Sequence, residues 1–323
     1  VRLDKPLSNK TQSGKTGECV PQQHKIDRAR VRLGFVFAIV STLGLGLAIA
    51  VSRFAYDGGS NGLTVSACRS VLMLVAVGLF CMATGRRLWI TPRDFGQTVG
   101  LGVLMGAGFY GNVGAVQYIP ISLAAILFFL FPPLIGLIHV TFLRERPGWI
   151  RSIAILLAFL GVVMMIGVVA VQPDWRGVVL SLGAAVAVAW NAVWIQRRVP
   201  HVNPVVLVFH MGVVAAVMLS CLALVGGQVQ WPHNVSGWLG LAAVGVLQSA
   251  CLPIWYLALA RIGALQAGML TNLQPIVTMT AAYLLFNEIM RIPQFVGAGM
   301  ILIAVFVMQN PFTWGAFGRK TDQ

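Results

Sequence analysis

Arg69 is the residue whose chemistry its surroundings explain least. It stands in the apolar run LTVSACRSVLML, and none of the nine acidic residues falls in the middle of an apolar run. An arginine at membrane depth costs roughly 2.5–3.5 kcal/mol on insertion scales, so something should offset it. Two readings stay open. The guanidinium braces a helix end or snorkels to the headgroups. Alternatively it meets an anionic ligand with a planar, two-pronged contact that lysine cannot reproduce. Other polar and aromatic side chains interrupt the apolar runs in groups. They are Tyr110 and Asn112 with Gln117; Trp190, Asn191 and Trp194; Gln248 with Trp255 and Tyr256; and Thr271, Asn272 and Gln274. Buried amides need partners. They glue helices together, or they line one shared cavity. The substrate-cavity candidates are therefore Arg69, Tyr110, Asn112, Trp190, Asn191, Trp194, Gln248, Trp255, Asn272 and Gln274. His139 and His210 carry the charge change nearest neutral pH, but a lone histidine on an apolar helix reads first as a packing residue.

Absences narrow the chemistry. There is no HExxH, no GxSxG and no GxxxxGK[ST]. With no acid in mid-run, a carboxylate relay for protons or sodium has no evident carrier. The five cysteines form no CxxC pair, so neither a metal site nor a disulfide framework is readable. No cofactor, no metal and no enzyme activity are expected.

These residues must be carried by helices. The chain is 58% hydrophobic and 10% charged over 323 residues, and runs of about 20 apolar residues suit helices that cross a hydrocarbon core. The runs do not alternate as barrel strands would. Ten spans are expected, at 33–54, 62–84, 96–117, 120–143, 149–171, 177–196, 204–226, 237–259, 264–286 and 292–312. Residues 1–32 read as a disordered basic cytoplasmic tail, and 313–323 as a short cytoplasmic tail. Pro132, Pro133 and Pro275 lie inside spans 4 and 9, where a proline kinks a helix and frees a carbonyl. Span 3 carries the GxxxG spacings Gly96/Gly100 and Gly102/Gly106, which allow close backbone approach.

The chain also repeats itself. AVQYIPISLAAILFFLFPPLIGLIHVTFLRE (115–145) and ALARIGALQAGMLTNLQPIVTMTAAYLLFNE (258–288) align at an offset of 143. The offset pairs Pro132 with Pro275 and Glu145 with Glu288. The expected architecture is all-α, ten transmembrane helices in two five-helix repeats, 33–171 and 177–312. Five is odd, so the second copy enters from the opposite side and the repeat is inverted.

The net charge of +14 is topological, which argues against nucleic acid. Eight basic residues lie in the first 32 positions, and most others fall in short loops. With both termini cytoplasmic, Arg86, Arg87, Arg93, Arg144, Arg146, Arg151, Arg197, Arg198 and Arg261 are inside. Arg53, Arg176 and Arg291 are outside, as the positive-inside rule favours.

Tyr118-Ile119-Pro120 through Ala124, Ala125, Pro132, Pro133 and Glu145, with the echo from Ala264 through Pro275 to Glu288, resembles the drug/metabolite transporter superfamily, in particular its ten-helix EamA-type members. Arg69 matches an arginine such proteins often carry early in the second helix. The chain departs from the pattern after Glu288, where Ile289-Met290 replaces the Arg146-Pro147 that follows Glu145. The resemblance implies a 5+5 inverted repeat, a central cavity and alternating access. It implies a secondary transporter or facilitator, an exporter, of small organic metabolites such as amino acids. The multi-pass chain would lie in a plasma membrane, a bacterial inner membrane. Its partners would be a small-molecule substrate and the lipid bilayer, with a homodimer left open. A membrane-embedded enzyme and a non-transporting receptor or assembly protein are the alternatives.

Overall fold

The computed structural model describes residues 20–142, 149–167 and 173–309. These residues form α1 (Val20–Asp57), α2 (Gly62–Ala83), α3 (Pro92–Gly114), α4 (Ile121–Phe128), α5 (Phe131–Thr141), α6 (Trp149–Gly167), α7 (Trp175–Arg198), α8 (Pro204–Val225), α9 (Val235–Thr271), α10 (Gln274–Phe286) and α11 (Ile292–Gln309), with one 3-10 turn at Ala115–Gln117. Seven stretches are long and apolar enough to cross a membrane, and three shorter apolar helices accompany them, at Ser152–Gly161, Gln274–Phe286 and Ile292–Val307. Together they correspond one to one with the ten expected spans.

Two boundaries differ from expectation. The first helix begins at Val20, so the residues from 20 to 32 are helical rather than disordered. Spans 8 and 9 were expected as separate helices, yet the helical backbone runs unbroken from Val235 to Thr271. This element is not straight. The Trp255 indole N–H donates to Thr271 Oγ1 at 3.1 Å, although 16 residues of straight helix would span about 24 Å. Gly44 packs on Cys251, while a Cβ on the nearby Gly46 would come 3.0 Å from the Gln274 carbonyl oxygen. The chain therefore reverses between Trp255 and Thr271.

The prolines act differently from expectation as well. Spans 4 and 9 are interrupted by two-residue breaks, at 129–130 and 272–273. Pro132 and Pro275 then sit in the first turn of α5 and α10. There a missing N–H costs nothing, because the first helical N–H groups have no intrahelical acceptor. The breaks are 143 residues apart (272 − 129), the offset of the sequence repeat.

Capping fixes other boundaries at matching places. Asn61 and Asn203 cap α2 and α8 by accepting from the N–H of Thr64 and of Val205. After each of these helices a glycine, Gly85 or Gly227, takes a positive φ of 61° or 59°. Arg86 N–H and Gln228 N–H then reach back to the Cys81 and Ala223 carbonyls. This is the six-residue closure that favours glycine at a helix end.

Packing obeys one exchange rule. α1 pairs with α9 as α7 pairs with α3, and α2 with α9 as α8 with α3. α1 meets α10 as α7 meets α5, while α2–α8 and α6–α11 pair with their own counterparts. Gly78 faces Phe209 and Gly212 faces Met73, so α2 and α8 run antiparallel. Equivalent helices in antiparallel contact require a two-fold axis perpendicular to them, which lies in the membrane plane. The repeats are inverted. Glycines on α3 set two close approaches: Gly102 and Gly106 against Val214 and Ala215 of α8, Gly108 and Gly111 against Val188 and Ala184 of α7. A Cβ on Gly96 would meet nothing within 4 Å, so no close approach depends on that glycine. At the centre lies α4, whose Ile121, Leu123, Ala124, Ala125, Ile126 and Leu127 are all buried. A helix apolar apart from Ser122 belongs inside such a bundle.

Candidate functional site

The ten substrate-cavity candidates separate into three groups. The first surrounds Arg69 at the seam of α1, α2 and α3. Arg69 is 2% exposed, so it does not snorkel. Its Nη2 donates to the Phe109 carbonyl at 2.9 Å, and the guanidinium lies 4.6 Å over the Phe109 ring. Tyr56, which sequence reasoning missed, donates its hydroxyl to the Val113 carbonyl at 2.7 Å, one turn farther along α3. Tyr110 packs beside Gly62 and Gly114.

Arg69 Nε, Ser66 Oγ and Asn112 Oδ1 are buried without a hydrogen-bond partner. The Gly62–Gly114 and Arg69–Phe109 contacts fix the α2/α3 register, which places Ser66 and Asn112 about one turn from Arg69. Buried polar atoms are almost always paired in folded proteins. A donor, an acceptor and a hydroxyl are thus left unpaired within about one turn of each other.

The second group is interhelical glue. Asn191 Nδ2 donates to the Leu101 carbonyl at 2.8 Å, and Trp194 Nε1 donates to Gln97 Oε1 at 2.8 Å. Both tie α7 to α3. Trp190 packs edge-on against Phe142, with centroids 5.0 Å apart. The third group lies on α9, α10 and the break between them. Gln248 and Gln274 are buried, Trp255 bonds Thr271, and Asn272 sits in the break. Thr278 Oγ1 donates to the carbonyls of Gly46 and Gln274 at 2.9 and 3.0 Å, fastening α10 to α1. One shared cavity was one of two expectations; the hydrogen bonds described for these side chains run within each group. His210 Nδ1 donates to the Val206 carbonyl of its own helix at 2.9 Å, as a packing histidine does. The His139 side chain and Glu145 lie outside the described residues.

Glu288 is more specific than its sequence suggests. Its carboxylate accepts from the N–H groups of Ile121 and Ser122, each at 3.0 Å, and from the Ser122 hydroxyl. A residue following α10 thus caps α4 in the other repeat. The missing Arg-Pro after Glu288 does not remove a role for this acid.

At the end of the bundle that holds residues 84–91, a cavity of about 360 Å³ is lined by Thr91, Arg93, Asp94, Gln97, Arg198 and His201. His201 Nε2 lies 3.1 and 3.2 Å from the two Asp94 carboxylate oxygens. Thr91 Oγ1 donates to Asp94 Oδ2 at 2.7 Å, and Asp94 N–H donates to Thr91 Oγ1 at 3.2 Å. The Thr-Pro-Arg-Asp spacing is a readable capping box, and it would have drawn attention to Asp94. The hydroxyl points to the carboxylate rather than to the imidazole. The arrangement therefore lacks the nucleophile-to-base contact of a catalytic triad.

The repeats found in the sequence and the fold are those of a known family. The EamA-like transporter family matches residues 32–167 and 175–309. The chain belongs to the EamA-like transporter family. Relatives of this EamA-like protein include two uncharacterized transporters of Archaeoglobus fulgidus. One is 24% identical over 257 residues, covering 75% of this chain and 87% of the relative. The other is 22% identical over 284 residues, covering 86% and 96%. A solved crystal structure of a protein superposes with a TM-score of 0.58 at 19% identity, covering 87% of this chain and 96% of that one. That likeness concerns the fold alone. The EamA-like chain is thus a multi-pass membrane protein of a transporter family.

Proposed function

We propose that this EamA-like protein is a secondary transporter or facilitator that exports small organic metabolites bearing a carboxylate, such as amino acids, by alternating access between its inverted repeats. The observation that carries this reading is the buried, partly satisfied Arg69. One guanidinium nitrogen braces the Phe109 carbonyl, while Nε has no partner and stands about one turn from the unpartnered Ser66 and Asn112 oxygens. A carboxylate would accept from Nε in a low-dielectric site, where charge-assisted bonds are strong. A neighbouring ammonium or amide would donate to Asn112 Oδ1. The broken helices α4–α5 and α9–α10, at matching places in the repeats, supply elements that can move around a fixed site. The arginines Arg86, Arg87, Arg93, Arg197 and Arg198 favour a cytoplasmic 84–91 end in a bacterial inner membrane, with cytoplasmic termini.

Flux of labelled amino acids from proteoliposomes tests the proposal. Arg69→Ala should nearly abolish transport of the accepted substrate, and Arg69→Lys should impair it, because an ammonium cannot keep the Phe109 contact and a two-pronged carboxylate contact at once. Variants are compared at matched expression and thermal stability. Normal flux through well-folded Arg69→Ala would overturn the assignment and leave Arg69 as a brace.

A further inference from the structure

Glu288 joins the two repeats at a short half-helix. α4 is a half-helix of eight residues, cut from α5 by the break at 129–130. No side chain of the α3–α4 link caps it, since Pro120 stands at its N-cap. The cap comes from the second repeat. α10 ends at Phe286 and is capped by Asn287, which takes a left-handed conformation at φ 51°, a position asparagine tolerates better than most residues. The turn is closed by Asn287 N–H to the Tyr283 carbonyl at 3.0 Å and Glu288 N–H to the Ala282 carbonyl at 3.3 Å. It presents the Glu288 carboxylate to the α4 N-terminus, where backbone N–H groups and the helix dipole favour an anion.

We propose that Glu288 is a latch between the repeats, a positioning residue that holds the α4 half-helix against α10 and keeps this end of the transport path closed. The inference rests on the alternating-access reading given above. Opening this end requires α4 to move away from the α10 terminus. Three hydrogen bonds to one carboxylate must then break together, leaving two backbone N–H groups and a charge to find water. Removing the carboxylate should therefore raise the population open at this end. The fold itself would survive, because α4 remains enclosed by its own apolar surface.

The test uses the full chain in lipid nanodiscs without any substrate. Cys19, Cys68, Cys221 and Cys251 are replaced by alanine, and Ala124→Cys is introduced on α4, where the native residue is 0% exposed. Native Cys81, also 0% exposed but at the other end of α2, is kept as a control for general loosening. Maleimide labelling of the two cysteines is followed separately by peptide mass. Glu288→Ala should accelerate labelling at Ala124→Cys about tenfold, the scale of losing a charge-assisted cap, with Cys81 unchanged. Glu288→Gln should fall between Glu288→Ala and the parent, since one amide oxygen can still accept while the amide nitrogen cannot. An unchanged rate at Ala124→Cys overturns the latch. So does a parallel rise at Cys81, which would make Glu288 a structural cap only. Should Glu288→Ala fail to fold, Glu288→Gln is judged by the same two outcomes. Because labelling needs no substrate, a failed flux assay and a failed latch are separate results.

Discussion

The turn between α1 and α2 and the turn between α7 and α8 occupy the same place in the two repeats, but they are held by opposite chemistry. At the first, Ser60 Oγ donates to the Gln230 carbonyl at 2.8 Å, Asn61 Nδ2 donates to the Gln228 carbonyl, and Gln230 N–H donates to Thr64 Oγ1 at 3.0 Å. His233 N–H donates to the Gly58 carbonyl at 2.7 Å. None of these groups is charged, and every bond but one uses a main-chain carbonyl. At the second, Arg86 Nη1 donates to Asn203 Oδ1 at 3.1 Å and His201 meets Asp94, beside a polar cavity. The first joint is dry only in the sense that it carries no charge for salt to screen, since its loop residues Gln228, Gln230 and His233 are exposed. Side-chain charges give a wet seam whose strength depends on screening. One framework thus has one joint held by uncharged groups and one held in part by charged side chains.

The largest expected effect lies in the dry joint. A Cβ on Gly58 would come 2.6 Å from the Gly237 Cα, a backbone atom that no side-chain rotation can move. Gly58→Val should force the repeats apart there and destabilise the protein by about 1–3 kcal/mol, as overpacking does. Thermal unfolding in detergent checks this. A variant as stable as the parent would mean that the seam is looser than its glycines indicate.

An intermediate effect is expected where the wet joint meets the α3–α7 seam. Trp194 spans both kinds of contact: its indole covers Gly100, and its N–H bonds Gln97. Trp194→Phe keeps most of the packing and removes the donor, so it should cost about 1 kcal/mol. Trp194→Ala should cost clearly more, because it also opens a void. If the two variants are equally destabilised, the hydrogen bond and not the packing dominates.

How much of this was legible in the sequence follows the same division. The ten apolar segments, the inverted repeat and its 143-residue offset come from hydropathy and identity along the chain, and those are local properties. The effect of Pro132 and Pro275 was not legible, because a proline within an apolar run can kink a helix or start one. Which occurs depends on whether the preceding residues stay helical. The dry joint was invisible: main-chain donors and carbonyls leave no residue-type signal, and Gly58 and Gly237 look like ordinary loop glycines. Arg69 was legible as an anomaly, although its acceptor is the Phe109 carbonyl, an atom that every residue has. Glu288 was legible as half of a repeated pair, while its partners, two backbone N–H groups 166 and 167 residues away, were not.

The smallest effect on stability is expected at the Asp94–His201 pair, and it separates the two joints most cleanly. His201 is well exposed, at 62% of its side chain, whereas Asp94 is largely covered, at 11%. A histidine–carboxylate contact with one partner in water contributes little, and salt weakens its charged form further. Thr91 also bonds Asp94, so the carboxylate keeps a partner when the imidazole is removed. His201→Gln should therefore leave thermal stability nearly unchanged. It should, however, abolish any dependence on ionic strength that the joint imposes on cysteine labelling at Gln97→Cys in the cavity wall. In the parent, labelling there should quicken as salt rises and the pair loosens. The same titration at a cysteine placed in the dry joint, Ser60→Cys, should be flat. Equal salt dependence at both sites would erase the distinction between the joints, and a flat response at both would show that the charges of the wet joint do not hold it.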